Sequence, residues 1–376
     1  MRSTAWLLVT LLLVTGRPAP LASPGVPPGA SHAAVVAGVT PYVSFGGSIA
    51  RLRPGASGRY VIDEAASVEA VVTALAATQE RLWTGDAGGV LHAFSVASDG
   101  LLHDEGRIDL SQGVADRAIT RIVPHSDGKL VVVVSGSGLV FAEDRYGVLR
   151  ERGRYAKWDQ SPSIGVYGDL VYILGAGTTT RLLAIDTAVP ESPTAIELPL
   201  SLPSGSGPGW YMLVEVDAAK HRLYVAGGLV AWAGRPCTPC YVETYDLAEP
   251  RAPAFLGRTI VSFTKAMHLL VAEDRAYLLE EASLLRWSMH WSPFRATVHA
   301  YGLSDEGLTT IGGWSSHAAY GRPARLPFGE LLVPLLEGGC LVLDAAESGA
   351  SLVPVGGCSD IGRLALPALG LPDRAR

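Results

Sequence analysis

Short hydrophobic runs alternate along this chain with polar or glycine-rich steps, and groups of such runs recur as a unit. The clearest run of each unit begins near Tyr42, Leu82, Leu130, Leu170, Leu223, Ala276 and Leu331, at spacings of 40, 48, 40, 53, 53 and 55 residues. The runs are rich in Val, Ile, Leu, Tyr and Phe and are bounded by turn residues, which reads as strand. A period of roughly 40–50 residues with three or four strands per unit predicts a β-propeller. The expected fold is therefore all-β, with seven four-stranded antiparallel blades whose strands A to D run from the central channel to the rim.

The strand cores can be placed within each unit. Strand B reads Leu82-Trp83-Thr84-Gly85, Leu130-Val131-Val132-Val133, Leu170 to Leu174, Leu223-Tyr224-Val225-Ala226, Ala276-Tyr277-Leu278-Leu279 and Leu331-Leu332-Val333-Pro334. Turns such as Asp127-Gly128-Lys129 and Tyr167-Gly168-Asp169 precede it, and steps such as Gly88-Gly89 and Gly338-Gly339 follow, where hairpins need positive φ. Strand C follows, as in Leu139-Val140-Phe141 and Val298-His299-Ala300-Tyr301, and then a shorter strand D, which in blade 6 reads Leu308 to Ile311. In blade 1, Tyr42–Phe45 reads as B, Ile49–Arg53 as C and Arg59–Ile62 as D. Its strand A has two candidates, Ala33–Val39 or the C-terminal Ile361–Leu366. The second, which puts both chain ends in one blade, is the expected closure. Ring closure by the N- and C-terminal segments removes the exposed edges of an open sheet.

Composition narrows the class. Charged residues make up 18% of the chain against a usual ~25%, and 43 glycines and 25 prolines serve the turns. The net charge of −6, with no run of basic residues, argues against nucleic acid as partner. Residues 1–30 read as a signal peptide and Pro-rich leader: Arg2 is followed by the apolar Ala5–Val14 and then by small residues and Arg17–Pro28. That run is shorter than the ~20 residues a membrane span needs. Residues 31–376 then form a single propeller domain, and the expected location is secreted, periplasmic or in the cell envelope.

Two units carry a more specific pattern after strand C: Ala184-Ile185-Asp186-Thr187-Ala188-Val189-Pro190-Glu191-Ser192-Pro193, and Thr244-Tyr245-Asp246-Leu247-Ala248-Glu249-Pro250-Arg251-Ala252-Pro253. This resembles the LVIVD-repeat propellers of secreted bacterial proteins. The aspartate can bond nearby backbone N–H groups, and the prolines preset φ through the C–D turn. The resemblance implies fold and compartment. It brings no catalytic residues, because the matched positions are turn-formers.

Candidate chemistry is sparse. The four cysteines, Cys237, Cys240, Cys340 and Cys358, suggest disulfides in an exported chain. Cys340 opens strand C of blade 7 and Cys358 follows its strand D, so antiparallel pairing brings them together. Cys237-Thr238-Pro239-Cys240 lies in a hairpin and reads as a local bridge, since thioredoxin-like chemistry wants a helix N-terminus. No motif assigns a metal or cofactor, and there is no G-x-S-x-G, H-E-x-x-H, P-loop or EF-hand array.

Seven tryptophans lie beyond the leader, and only Trp83 falls inside a predicted strand. Trp158, Trp210 and Trp314 are placed in D–A connections, and Trp232, Trp287 and Trp291 in B–C hairpins. Those connection types open on one face of a propeller. With His290 and His317 they make a candidate ligand face for a glycan or a partner protein, since Trp supplies rigid contact area; the same rings could instead anchor long loops. Asp63, Glu64, Asp116, Arg117, Asp159, Lys265, His268 and His317 are polar groups expected near the same face. The sequence thus favours an exported binding or interaction module. A propeller enzyme (hydrolase, lyase or quinone-dependent oxidoreductase) with its site at the channel mouth, or a structural envelope protein, are the alternatives. Fold alone does not choose among them.

Overall fold

A computed structural model describes residues 31–357, except for 55–59, 112–116, 126–127, 136–137, 146–147, 156–162, 176–180, 201–208, 230–239, 262–265, 281–295, 305–306, 317–319, 328, 337–338 and 346–351. The 28 strands, numbered β1 to β28 in chain order, form seven four-stranded sheets. Each sheet takes four consecutive strands in sequential antiparallel order, as expected for seven propeller blades. The innermost strands are β1 (Ala34–Ala37), β5 (Val72–Ala77), β9 (Ile119–Pro124), β13 (Ile164–Tyr167), β17 (Gly209–Asp217), β21 (Ala266–Ala272) and β25 (Ala324–Arg325). No helix long and apolar enough to cross a membrane occurs among the described residues.

The continuous apolar runs have a physical cause. A middle strand of a blade is buried on both faces, so successive side chains enter two different cores. In β10 (Leu130–Ser135), Val131 and Val133 pack with blade 2, whereas Val132 and Val134 pack with blade 4. Seven such cores exist, one at each interface between neighbouring blades. Outer strands meet solvent and read as mixed: β8 (Leu102–Asp109) buries Leu102 and exposes His103, Asp104 and Glu105.

Tight packing near the axis dictates several glycines. A Cβ on Gly165 would stand 2.5 Å from Cγ2 of Val216 in the next blade, and one on Gly85 would stand 2.2 Å from Cγ2 of Ile119. At the predicted A–B turns, Gly128 and Gly168 take φ of 66° and 57°, the left-handed region that favours glycine.

The ring closes between blade 7 and blade 1. The expectation that Ile361–Leu366 completes blade 1 is not met: strand A of blade 1 is the N-terminal Ala34–Ala37, and Ile361–Leu366 lies outside the described residues. Phe45, Leu52 and Ile62 of blade 1 share a core with Leu326, Leu332 and Val342 of blade 7. Backbone hydrogen bonds stitch the seam: Ala34 N–H donates to Arg322 O (2.9 Å), Arg322 N–H to His32 O (2.8 Å) and Ser31 N–H to Leu335 O (3.1 Å). Gly321 makes this possible, because a Cβ there would lie 2.3 Å from His32 O.

The two Asp-Pro hairpins behave as their sequences imply. Asp186 Oδ1 accepts from Ala188 N–H (3.0 Å) and Asp246 Oδ1 from Ala248 N–H (3.1 Å). Ser192 N–H donates to Val189 O and Ala252 N–H to Glu249 O, both at 2.9 Å. The hairpins also couple blades: Arg251 pairs with Asp186, and Tyr172 Oη–H donates to Pro250 O at 2.6 Å.

Candidate functional site in the central channel

All seven innermost strands or their approaches line a central cavity of about 280 Å³. Its wall is mostly aliphatic, with Ala34, Leu75, Ile122, Ile164, Val216 and Leu270 among its members. Charged side chains interrupt that wall. Arg121 on β9 and Glu215 on β17 face each other past blade 4, with Nη2 and Oε2 2.6 Å apart. Arg322, immediately after the seam glycine, approaches the other carboxylate oxygen at 3.6 Å. One carboxylate thus lies between two guanidiniums. Arg121 Nη1–H also donates to Ser163 Oγ (3.4 Å). That hydroxyl accepts from Val214 N–H (2.8 Å) and donates to Val214 O (2.7 Å), tying blade 4 to blade 5 beneath the cluster.

Strand register sets the level of the cluster. Arg121 lies opposite Val134 and His268 opposite Leu279, each the residue before last of its strand B. Gly321 N–H bonds Pro334 O, at the end of strand B of blade 7. The arginines and His268 therefore stand towards the channel end where the B–C hairpins depart. Glu215, opposite Tyr224, starts deeper and reaches up.

The electrostatics are unusual for a channel wall. Burial pulls the His268 imidazole down to about 3, with the positive charges of Arg322 and Arg121 adding to the effect, so it is neutral at ordinary pH. Burial, followed by repulsion from Arg121, lowers Arg322 to about 10 despite the attraction of Glu215. Arg322 keeps 24% of its side-chain surface, whereas Arg121 keeps 7% and its buried Nε finds no partner among the described residues. Arg325, the remaining charged group of the wall, is taken up by Ala272 O (2.8 Å) and Glu273 (2.9 Å).

The residues singled out by sequence fall into three groups. Trp158, Trp232, Trp287, His290, Trp291 and His317 lie outside the described residues, as do Asp116, Asp159, Lys265, Cys237 and Cys358. Others are placed differently than expected. Trp314 is not in a D–A connection: it lies in β24 (Gly307–Ser316), is buried between blades 6 and 7, and stacks on Tyr320 with ring centroids 6.1 Å apart. It is a core residue and offers no open ring to a ligand. Trp210 lies within β17 rather than before it. Asp63 and Glu64 are on the outer strand β4 (Tyr60–Ser67), where Asp63 pairs with Arg51 and Arg53 and Glu64 accepts from Ser48 Oγ–H (2.9 Å), away from the channel. Trp83 is buried as expected and donates its indole N–H to Asp144 (3.0 Å). Cys240 and Cys340 are buried at the start of their C strands, and neither is a free thiol. His268 alone of the expected polar set belongs to the channel cluster. Arg121, Glu215 and Arg322 were missed, although charge inside an innermost apolar run, as in Ile119-Thr120-Arg121-Ile122 and Leu213-Val214-Glu215-Val216, is a signal that could have found them. No group of three or more metal-ligating side chains occurs among the described residues.

The class of protein is thus a seven-bladed β-propeller with a charged cluster inside its channel. Comparison with known proteins agrees on the fold. No family model matches the sequence, and no curated protein does either. Among solved structures, the chain is similar to a putative 6-phosphogluconolactonase from Bacteroides uniformis (TM-score 0.60, 13% identity, 81% of this chain and 90% of the other). It is also similar to a functionally unknown protein from Desulfotomaculum acetoxidans (TM-score 0.54, 10% identity, 82% and 92%). The β-propeller domain of Cps50 (Swd1) from Myceliophthora thermophila gives 0.53 at 11% identity, covering 83% and 96%. At such identities the likeness is one of fold.

Proposed function

We propose that this protein is an exported binding module that presents its ligand face on the side of the B–C and D–A connections. One observation carries the reading. Strand ends at Leu229 and Cys240, and at Glu280 and Ala296, make 230–239 and 281–295 the two longest B–C connections, and they leave adjacent blades on the same side. Their sequences hold Trp232, Trp287, His290 and Trp291. A rigid ring whose two longest B–C connections carry three of its tryptophans suits recognition of a glycan or a protein. A glycan array and a display library of extracellular proteins, probed with the protein lacking residues 1–30, test this. Trp287→Ala and Trp291→Ala are expected to weaken the binding found by about 2 kcal/mol each while leaving the melting temperature in place. Unfolding of both variants would instead make the rings loop anchors.

The channel favours binding over catalysis as well. A general base works best with a pKa near the operating pH, and His268 at about 3 is far from it. Glu215 is engaged by two guanidiniums. The enzyme alternative draws on the same polar constellation and on the fold shared with the lactonase-like protein.

Export is supported by the apolar Ala5–Val14 and by the cysteines. We infer two local disulfides, Cys237–Cys240 and Cys340–Cys358. The ladder of blade 7 runs to the pair Leu341–Gly357, and each cysteine of the second bridge is the next residue outward. Non-reducing peptide mapping should recover both linked pairs. Kinship with LVIVD-repeat propellers is supported by the matching Asp-to-N–H bonds of the two hairpins.

A further inference from the structure

We propose that the channel cluster is a receptor for a small organic carboxylate, held by Arg322 and Arg121 with its aliphatic body against the channel wall. Four observations point there. Among the described residues the charge is unbalanced: two guanidiniums share one carboxylate, and His268 is neutral, so the cluster they form carries one surplus positive charge. A guanidinium has five N–H donors. Among the described residues Arg322 has only the 3.6 Å approach to Glu215, and Arg121 leaves its Nε unused although its side chain is more than nine-tenths buried. An enclosed cation without a full set of acceptors is costly unless something pairs with it. The space exists, since the cavity of about 280 Å³ reaches both arginines. That volume suits a small molecule and excludes a macromolecule.

The wall decides the class of anion. Inorganic phosphate would satisfy the arginines and leave the half-buried Val36, Val123, Val216 and Leu270 facing water. A carboxylate with an aliphatic chain covers both kinds of surface. A guanidinium can grip a carboxylate through two parallel hydrogen bonds. Glu215 has a defined part in this scheme. It holds Arg121 in place and, as a like charge, limits how tightly an anion is bound.

Calorimetric titration of the whole protein with acetate, butyrate, hexanoate and inorganic phosphate, at constant ionic strength, tests the proposal. Wild type should bind the carboxylates, with affinity rising about fourfold per added methylene until the channel is filled. Arg322→Gln should weaken hexanoate at least about tenfold, the usual loss for a charge-assisted hydrogen bond. Arg322→Lys, which keeps the charge and loses the fork, should weaken it less but measurably, and stands in if the Gln variant does not fold. Glu215→Gln should tighten binding, a result that a purely structural role for the cluster does not produce. Arg107→Gln, at an exposed rim pair with Glu69, should change nothing. The proposal is overturned if wild type binds none of the probes, if phosphate binds and the carboxylates do not, or if either Arg322 variant binds hexanoate as wild type does. Equal loss on Arg107→Gln would also overturn it, by showing only diffuse attraction. The site does not depend on the tryptophan face: Trp287→Ala should leave hexanoate binding intact, so the two readings fail separately.

Discussion

His268 is the residue at which structure and pH are most directly linked. Its folded pKa is about 3 against an ordinary 6.5, so between those values the unfolded chain binds a proton that the folded protein does not. Stability is then fully present above about 6.5 and is lost as the pH falls towards 3. Between pH 7 and pH 5 this group should cost on the order of 1–2 kcal/mol. Urea titrations of wild type and His268→Asn at both pH values should show a shallower pH dependence in the variant. Arg322 has the opposite sense. Its charge is opposed by burial and by Arg121, so Arg322→Gln should leave the unliganded protein about 1 kcal/mol more stable, read as a higher melting temperature. Loss of stability in that variant would mean that Glu215 needs its second guanidinium. The sequence showed His268 only as one of many polar groups. What distinguishes Arg121 and Glu215 is their meeting across 94 positions of chain, and no local pattern encodes that.

At the scale of elements, the B strands were legible because burial on both faces leaves no room for polar residues. The outer strands were less so. In β24 the strand read from sequence ends at Ile311, before Gly312-Gly313. The strand instead passes a bulge opposite Ala300 and Tyr301 and continues to Ser316, carrying Trp314 into the core between blades 6 and 7. The glycines sit where close approach needs them, since a Cβ on Gly313 would lie 3.1 Å from Val298 O. Blade 5 holds the most deeply buried acid of the sheets: Glu243 is fully enclosed between Arg258 and the Tyr245 hydroxyl (2.6 Å), with Arg258 4.7 Å above the Tyr241 ring. Arg258→Met should therefore destabilise by about 3 kcal/mol by taking the guanidinium away from that buried carboxylate, measurable by chemical denaturation. Gly165→Val should cost about 1–3 kcal/mol, because the new side chain would overlap that of Val216.

The whole molecule depends on its seam. The repeat predicted seven blades and closure between the chain ends. The strand-like Ile361–Leu366 pointed to a borrowed strand, but the repeat did not exclude two complete blades meeting face to face, because both give the same strand count. The structure uses complete blades, held by one shared core and three backbone hydrogen bonds around Arg322. Closure and the channel cluster are thus one piece of architecture: the bonds that shut the ring also fix the backbone of the arginine that carries the surplus charge. Gly321→Val, which forces His32 away, should lower stability by about 2–3 kcal/mol and also weaken hexanoate binding.

Because blade 1 is built wholly from residues 34–67, it lacks nothing once those residues have left the ribosome. A ring whose first blade borrowed a strand from the far end would hold an unpaired inner edge open throughout translation, exposed to every other nascent chain. Here each blade can be laid down complete upon the one before it. Only the last step, the meeting of residues 31–34 with 321–335, must wait until the latter have been made, and the channel gains its binding charge at the moment the ring is shut.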